Sequence, residues 1–169
     1  LLEKAVEAIK AGKVLSLDAP MGADTEVNLR IPALIPEDYL PDVHNRLILY
    51  KRIASAKSSI ELKELQVEMI DRFGLLPNQV KYLFRVTELK LKLSKIGIVK
   101  LDAGESQGRI EFGADTQIDP YNMVRLVQTK PLSYKLDGAN ALKFMFDMPD
   151  AEARFKTVED ILNLLGTTA

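Results

Sequence analysis

The sequence predicts an α+β chain: a helical hairpin and a third helix, packed with a small, mainly antiparallel sheet drawn from two β-hairpins. Three observations predict it. Between residues 42 and 96, apolar residues recur at spacings of three and four, the period of a helix with one buried side. From Ile98 the period drops to two, interrupted by a Gly/Ser/Gln segment and later by Asp137-Gly138, as turns interrupt strands. Helix punctuation brackets the periodic runs: Asp42, Ser58 and Asp119-Pro120 at starts, Gly74 and Gly97 at stops.

In chain order, residues 1–11 read as a helix, with Leu2, Val6 and Ile9 spaced four and three apart, ending at Gly12. Residues 13–25 carry Pro20 and Gly22 and read as a loop or linker. The expected division is 1–25, a helix and linker, and 26–169, one domain. The chain opens on Leu1, already in a helical pattern, which predicts a piece excised from a longer protein. Val27, Leu29 and Ile31 alternate with Asn28 and Arg30 as in a short strand. Pro32, Pro36 and Pro41 then hold the chain extended.

Asp42 caps a helix over 42–57, with Val43, Leu47, Tyr50 and Ala54 as its buried stripe and Ile53 beside them. Ser58 or Ser59 caps a second helix, 59–73, and Glu61, three residues after Ser58, completes a capping box. Leu62, Leu65, Met69 and Phe73 are its stripe. The short break between Ala54 and Ser59 folds the pair back as a hairpin. Pro77 opens a third helix to about Ile96, with Val80, Leu83, Phe84, Thr87 and Leu91 inward.

Ile98–Leu101 and Arg109–Phe112 flank a longer loop that includes Gly104 and Gly108, a first hairpin. A helix over 120–129 follows, with Met123, Val124 and Val127 on one side. Ser133–Leu136 and Leu142–Phe146 form the second hairpin about Asp137-Gly138. Thr157 caps a last helix, 157–165, with Val158, Ile161, Leu162 and Leu165 as its apolar set and Gly166 as its stop.

The chemistry in the chain is sparse. With 169 residues, 47% hydrophobic, it is large enough for a real core. Lys plus Arg is 23 against 24 for Asp plus Glu, so there is no bulk attraction to nucleic acid. There is no cysteine, which removes disulfides and thiolate metal sites and fits a cytoplasmic location. No signal peptide and no apolar run near the length of a membrane span is present. A phosphate-binding loop needs glycines ahead of Gly-Lys-Ser/Thr; the one Gly-Lys, Gly12-Lys13, is followed by Val14. The single histidine, His44, falls in the first turn of a helix. Neither G-x-S-x-G nor H-E-x-x-H occurs. The expectation is a chain that is no enzyme and holds no cofactor and no metal. Tyr50, Phe73, Phe84, Phe112, Tyr134, Phe144 and Phe146 fall in apolar patterns and read as core rather than as stacking platforms for bases.

Two charged sets stand out. Glu61, Glu64, Glu68 and Asp71 step by three, four and three, which lines four carboxylates along one helix beside its apolar stripe, with Arg72 adjacent. That line is either a solvated face or a docking face for a basic partner. Lys81, Arg85, Lys92 and Lys95 share a side of the third helix. They serve either solubility and the helix C-terminus or a nucleic-acid contact.

The run EVNLRIPALIPEDYLPDVHNRLILYKRIASAKS, followed by ELKELQVEMIDRFGLLP, resembles the C-terminal module of the bacterial transcription-repair coupling factors (Mfd). The resemblance extends from about residue 12 to near the end and is carried by IPALIP, DYLPDV, RLILYKRIASA and EMIDRFG. It implies a family of ATP-driven double-stranded DNA translocases, similar to superfamily-2 helicases. These displace stalled RNA polymerase and recruit UvrA in transcription-coupled nucleotide excision repair. ATP and magnesium would belong to a motor upstream, with residues 1–11 ending the helix that leads from it. The module resembled by residues 25–165 is an autoinhibitory clamp that packs on the N-terminal UvrA-binding module, hides it and restrains the translocase. Glu68, Asp71 and Arg72 match the positions of that polar contact, and Glu64 and Glu61 extend their line. The alternative is an accessory nucleic-acid-binding domain using the basic 81–95 helix.

Overall fold

A computed structural model describes residues 25–166. The expected helix at 1–11 and nearly all of the 13–25 linker lie outside the described residues. Five helices and one five-stranded mixed sheet are present among the described residues, the α+β class expected. The chain divides into two compact units. Of the described residues, Pro32–Leu91 form the first, and Thr25–Ile31 with Lys92–Gly166 form the second.

The first unit holds helices α1 (Val43–Ala54), α2 (Ser59–Phe73) and most of α3 (Asn78–Lys95), whose last turn belongs to the second unit. Its core is Ile35, Leu40, Leu49, Tyr50, Ile53, Leu62, Leu65, Met69, Leu76, Val80, Leu83 and Phe84. Asp42 caps α1, its carboxylate accepting from the His44 amide at 3.0 Å. The stripe of α1 is rotated from the one expected. Val43 is exposed, and Arg46, Leu49, Tyr50 and Ile53 are buried. Arg46 is inside because the proline-rich run ends in two carbonyls that need donors. Its Nη1 reaches Leu40 O at 2.6 Å and Pro41 O at 2.9 Å. The Tyr50 phenol oxygen accepts from the Ile35 amide at 2.7 Å, so the same extended run is tied twice to α1.

Helix α2 begins as expected, with Ser58 Oγ accepting from the Glu61 amide at 3.2 Å. The Glu61 carboxylate reaches one residue further back than a capping box requires, accepting from the Lys57 amide at 2.7 Å. Leu62, Leu65 and Met69 are buried and Phe73 half-buried. Gly74 closes the helix at φ 98°, where a side chain would be strained.

The second unit is built on strands β1 (Glu26–Asn28), β2 (Ile98–Ala103), β3 (Gln107–Phe112), β4 (Tyr134–Leu136) and β5 (Ala141–Met145), in the order β1-β2-β3-β5-β4. Only the β1–β2 pairing is parallel; β2–β3, β3–β5 and β4–β5 are antiparallel. The β2–β3 loop is shorter than expected. Gly104 N donates to Gln107 O at 2.9 Å, and Gly108 lies inside β3.

Register sorts the side chains. Ala103, Gly108, Phe144 and Tyr134 form one row across the sheet, and Asp102, Arg109, Lys143 and Lys135 the next row, on the opposite face. A Cβ on Gly108 would run into the Phe144 ring and stand 2.7 Å from Asp102 O, so glycine is the residue that lets Phe144 cross β3.

Helix α4 (Pro120–Thr129) is capped by Asp119 with Pro120 in its first turn. Its buried residues are Met123 and Leu126, while Val124 is exposed and Val127 half-buried, a shift from the expected set. Helix α5 (Ala151–Leu164) starts six residues earlier than the expected 157. Asp150 is its cap, the carboxylate accepting from the Ala153 amide at 2.9 Å, and Thr157 lies inside the helix. The early start carries Arg154 and Phe155 into the interior. Arg154 Nη1 donates to Leu29 O at 3.1 Å and Arg30 O at 3.2 Å, and its Nε to Met148 O at 3.1 Å.

Candidate docking face

The face is built on α2. At 100° per residue, Ile60, Glu64, Val67 and Asp71, spaced four, three and four, lie on its outermost line, opposite the buried Met69. Ile60 is 68% exposed and Val67 58%. Glu64 and Asp71 are exposed between them. The outward face therefore alternates apolar and acidic side chains. Sequence spacing found the carboxylates but missed Ile60 and Val67, although both follow from the same helical period.

Glu68 sits at the side of this line and is already engaged. Arg52, in the last turn of α1, donates from Nη1 to Glu68 Oε2 at 2.6 Å and from Nη2 to Oε1 at 2.8 Å. Arg72 adds Nη1 to Oε2 at 3.1 Å, one turn along α2. The hydrogen bonds from Arg52, with the one from Arg72, hold the Glu68 carboxyl down to about 2. The same pairing raises the Arg52 guanidinium. The Arg72 guanidinium also lies over the Phe73 ring, 4.7 Å from its centroid. Of the four aligned carboxylates, Glu68 is thus neutralised within the chain, Glu61 is held by a backbone amide, and Glu64 and Asp71 face outward. A cleft of about 370 Å³ beside Glu68 is lined by Arg52, Ser55, Ala56, Glu61, Glu64 and Leu65.

The basic set of α3 is arranged differently. Lys81, Lys92 and Lys95 are exposed, and Arg85 is half-buried. Lys81 and Arg85 belong to the first unit, Lys92 and Lys95 to the second. His44 is exposed and contributes its backbone amide to the cap of α1. Among the described residues, no group of three His, Asp or Glu side chains is placed to hold a metal ion, and no helix is long and apolar enough to cross a membrane.

With this geometry, a family model described as the TRCF domain matches residues 29–123, more than half of the chain. The chain belongs to the TRCF domain family. Two curated relatives match nearly all of this chain. The transcription-repair-coupling factor of Haemophilus influenzae is 46% identical over 98% of this chain. That of Escherichia coli is 44% identical over 100% of this chain. The chain spans 14% and 15% of those two proteins. The Bacillus subtilis factor is 36% identical over 61% of the chain. Among solved structures, the crystal structure of the C-terminal domain of transcription-repair coupling factor superposes with a TM-score of 0.66. At 24% identity it covers 86% of this chain and 96% of that one, which establishes a shared TRCF fold.

Proposed function

We propose that this TRCF domain is a regulatory interaction module of a transcription-repair coupling factor, docking through α2 onto the UvrA-binding module of the same protein and hiding it until the clamp opens. The observation that carries the reading is the outward face of α2, where Ile60 and Val67 are exposed between Glu64 and Asp71. A helix that only had to stay soluble gains nothing from two branched apolar residues there; a partner that covers them gains their burial. The acidic residues beside them favour a basic partner surface, and Glu68, Asp71 and Arg72 match the contact positions implied by the family resemblance.

Magnitudes support a mask that holds and releases. A hundredfold masking needs about 2.7 kcal/mol. Burying Ile60 and Val67 contributes roughly 1–2 kcal/mol each from their exposed area, and exposed ion pairs roughly 0–1 kcal/mol each. The sum passes the requirement without a large apolar interface. DNA translocation, ATP hydrolysis and contacts with RNA polymerase belong, on this reading, to other segments of such a protein.

The test reverses the free carboxylates. Glu64→Lys with Asp71→Lys, in a coupling factor carrying this chain as its C-terminal segment, should raise UvrA binding in a pull-down by tenfold or more, with the chain folded as before. A folded double variant that binds UvrA no better than wild type removes docking from this face.

A further inference from the structure

We infer that Arg52 is a built-in competitor at this face: its guanidinium holds Glu68 in the position that a cationic side chain of the docking partner takes when the face is covered. The inference rests on the docking reading above and assigns a residue outside α2 to its regulation.

The geometry of the carboxylate carries it. An ionised carboxylate offers about four acceptor positions, two on each oxygen. Three are filled: Arg52 Nη1 and Arg72 Nη1 share Oε2, and Arg52 Nη2 takes Oε1. One remains, on Oε1. A partner guanidinium needs both oxygens to bind as a fork, so it cannot engage Glu68 while Arg52 stays. A residue that merely oriented Glu68 would leave one edge of the carboxylate open; Arg52 closes the edge on which a fork would sit. Arg72 makes one bond, from the same helix, and is also seated on Phe73.

Arg52 is free to leave. Its side chain is 44% exposed. The cleft beside it is lined by Glu61 and Glu64 as well as Glu68, so a displaced guanidinium finds a carboxylate within the same cavity. Docking then exchanges one charge-assisted pair for another. The Glu68 carboxylate keeps a cation in both states, and the net gain per contact stays small. That smallness is what lets the mask open. The pairing is also a sign test, because loss of Arg52 should tighten docking, whereas loss of the partner-facing carboxylates should weaken it.

The experiment compares three variants with wild type, each a coupling factor carrying this chain as its C-terminal segment. With Arg52→Gln, UvrA binding should fall about three- to fivefold, the worth of one exposed ion pair. Arg52→Lys, which keeps the charge and loses the fork, should fall between Arg52→Gln and wild type. The Glu64→Lys, Asp71→Lys protein should bind more UvrA. Urea unfolding of the isolated chain checks that each substitution leaves the fold intact. If the carboxylate reversal raises UvrA binding while Arg52→Gln leaves it unchanged or raises it, competition is overturned and the docking reading stands. If the reversal itself has no effect, both fall.

Discussion

Glu68 is the residue on which the chemistry of α2 turns, and its titration is the most direct check on the pairing described. Its carboxyl is held at about 2 by the hydrogen bonds from Arg52 and Arg72. A carboxylate lowered in the folded state adds stability above its ordinary range and loses it as pH falls from there through about 2. Followed by carboxyl-carbon NMR, Glu68 should titrate near 2 in the wild-type chain, and its midpoint should climb toward the usual carboxylate range in Arg52→Gln. An unchanged midpoint would mean that Arg52 does not make the contact. Reversing Glu68 itself is a poor probe of docking. Glu68→Lys would set an ammonium between Arg52 and Arg72, a like-charge cluster inside the helical hairpin. Gly108 is a second single-residue test. Gly108→Ala drives a methyl into Phe144, which is fully buried. Overpacking of this kind costs about 1–3 kcal/mol, read as a lower urea midpoint.

Among the elements, helix starts were the most legible feature, because one side chain and one amide decide them. Asp42, Ser58 and Asp119 each stand as caps where the sequence places them. The last helix was misplaced because Thr157 has the right chemistry for a cap and an apolar run behind it. Asp150 has the same chemistry behind Pro149, and the interior needed Phe155 as well as Val158 and Leu162. Asp150→Ala should therefore destabilise the chain by about 1 kcal/mol, as cap loss does, and Thr157→Ala should change it by well under that amount in the same unfolding experiment. The buried stripes of α1 and α4 were harder to place. A three-and-four spacing fixes a helix but leaves two adjacent phases nearly equal when apolar residues are plentiful. In α1 the phase is settled by Arg46, a charged residue that periodicity counts as exposed. Its burial follows from the carbonyls of Leu40 and Pro41, which only the folded chain brings to it.

At the scale of the molecule, the carboxylate line was legible because it lies along one helix, whereas its neutralisation was not, because it crosses between two. Arg52 and Glu68 are 16 residues apart. The two halves of that neutralisation stand in separate elements: Lys51 and Arg52 in the last turn of α1, and the acidic line of α2. The exposed pair Ile60 and Val67 was hidden for another reason, since a sequence pattern spends apolar residues on the core first. Replacing both with serine should leave urea stability within about 0.5 kcal/mol, as for other exposed positions, while raising UvrA binding in a coupling factor that carries the chain. A large loss of stability would show that these side chains pack within the chain instead.

Arg154 has a consequence for where this chain can be cut. Its guanidinium joins carbonyls at Leu29 and Arg30 to one at Met148, across as many as 125 residues of sequence. The region matched by the family model ends at residue 123, before β4, β5 and α5. A fragment trimmed to 29–123 would strip β5 from the edge of β3, uncovering Ile110 and Phe112. It would also leave the Leu29 and Arg30 carbonyls without their shared donor. The matched range and the folding unit thus have different borders here. Expressed alone, the shorter piece should be insoluble or protease-sensitive, while residues 25–166 should resist digestion as long as Arg154 keeps the two ends of the second unit knotted together.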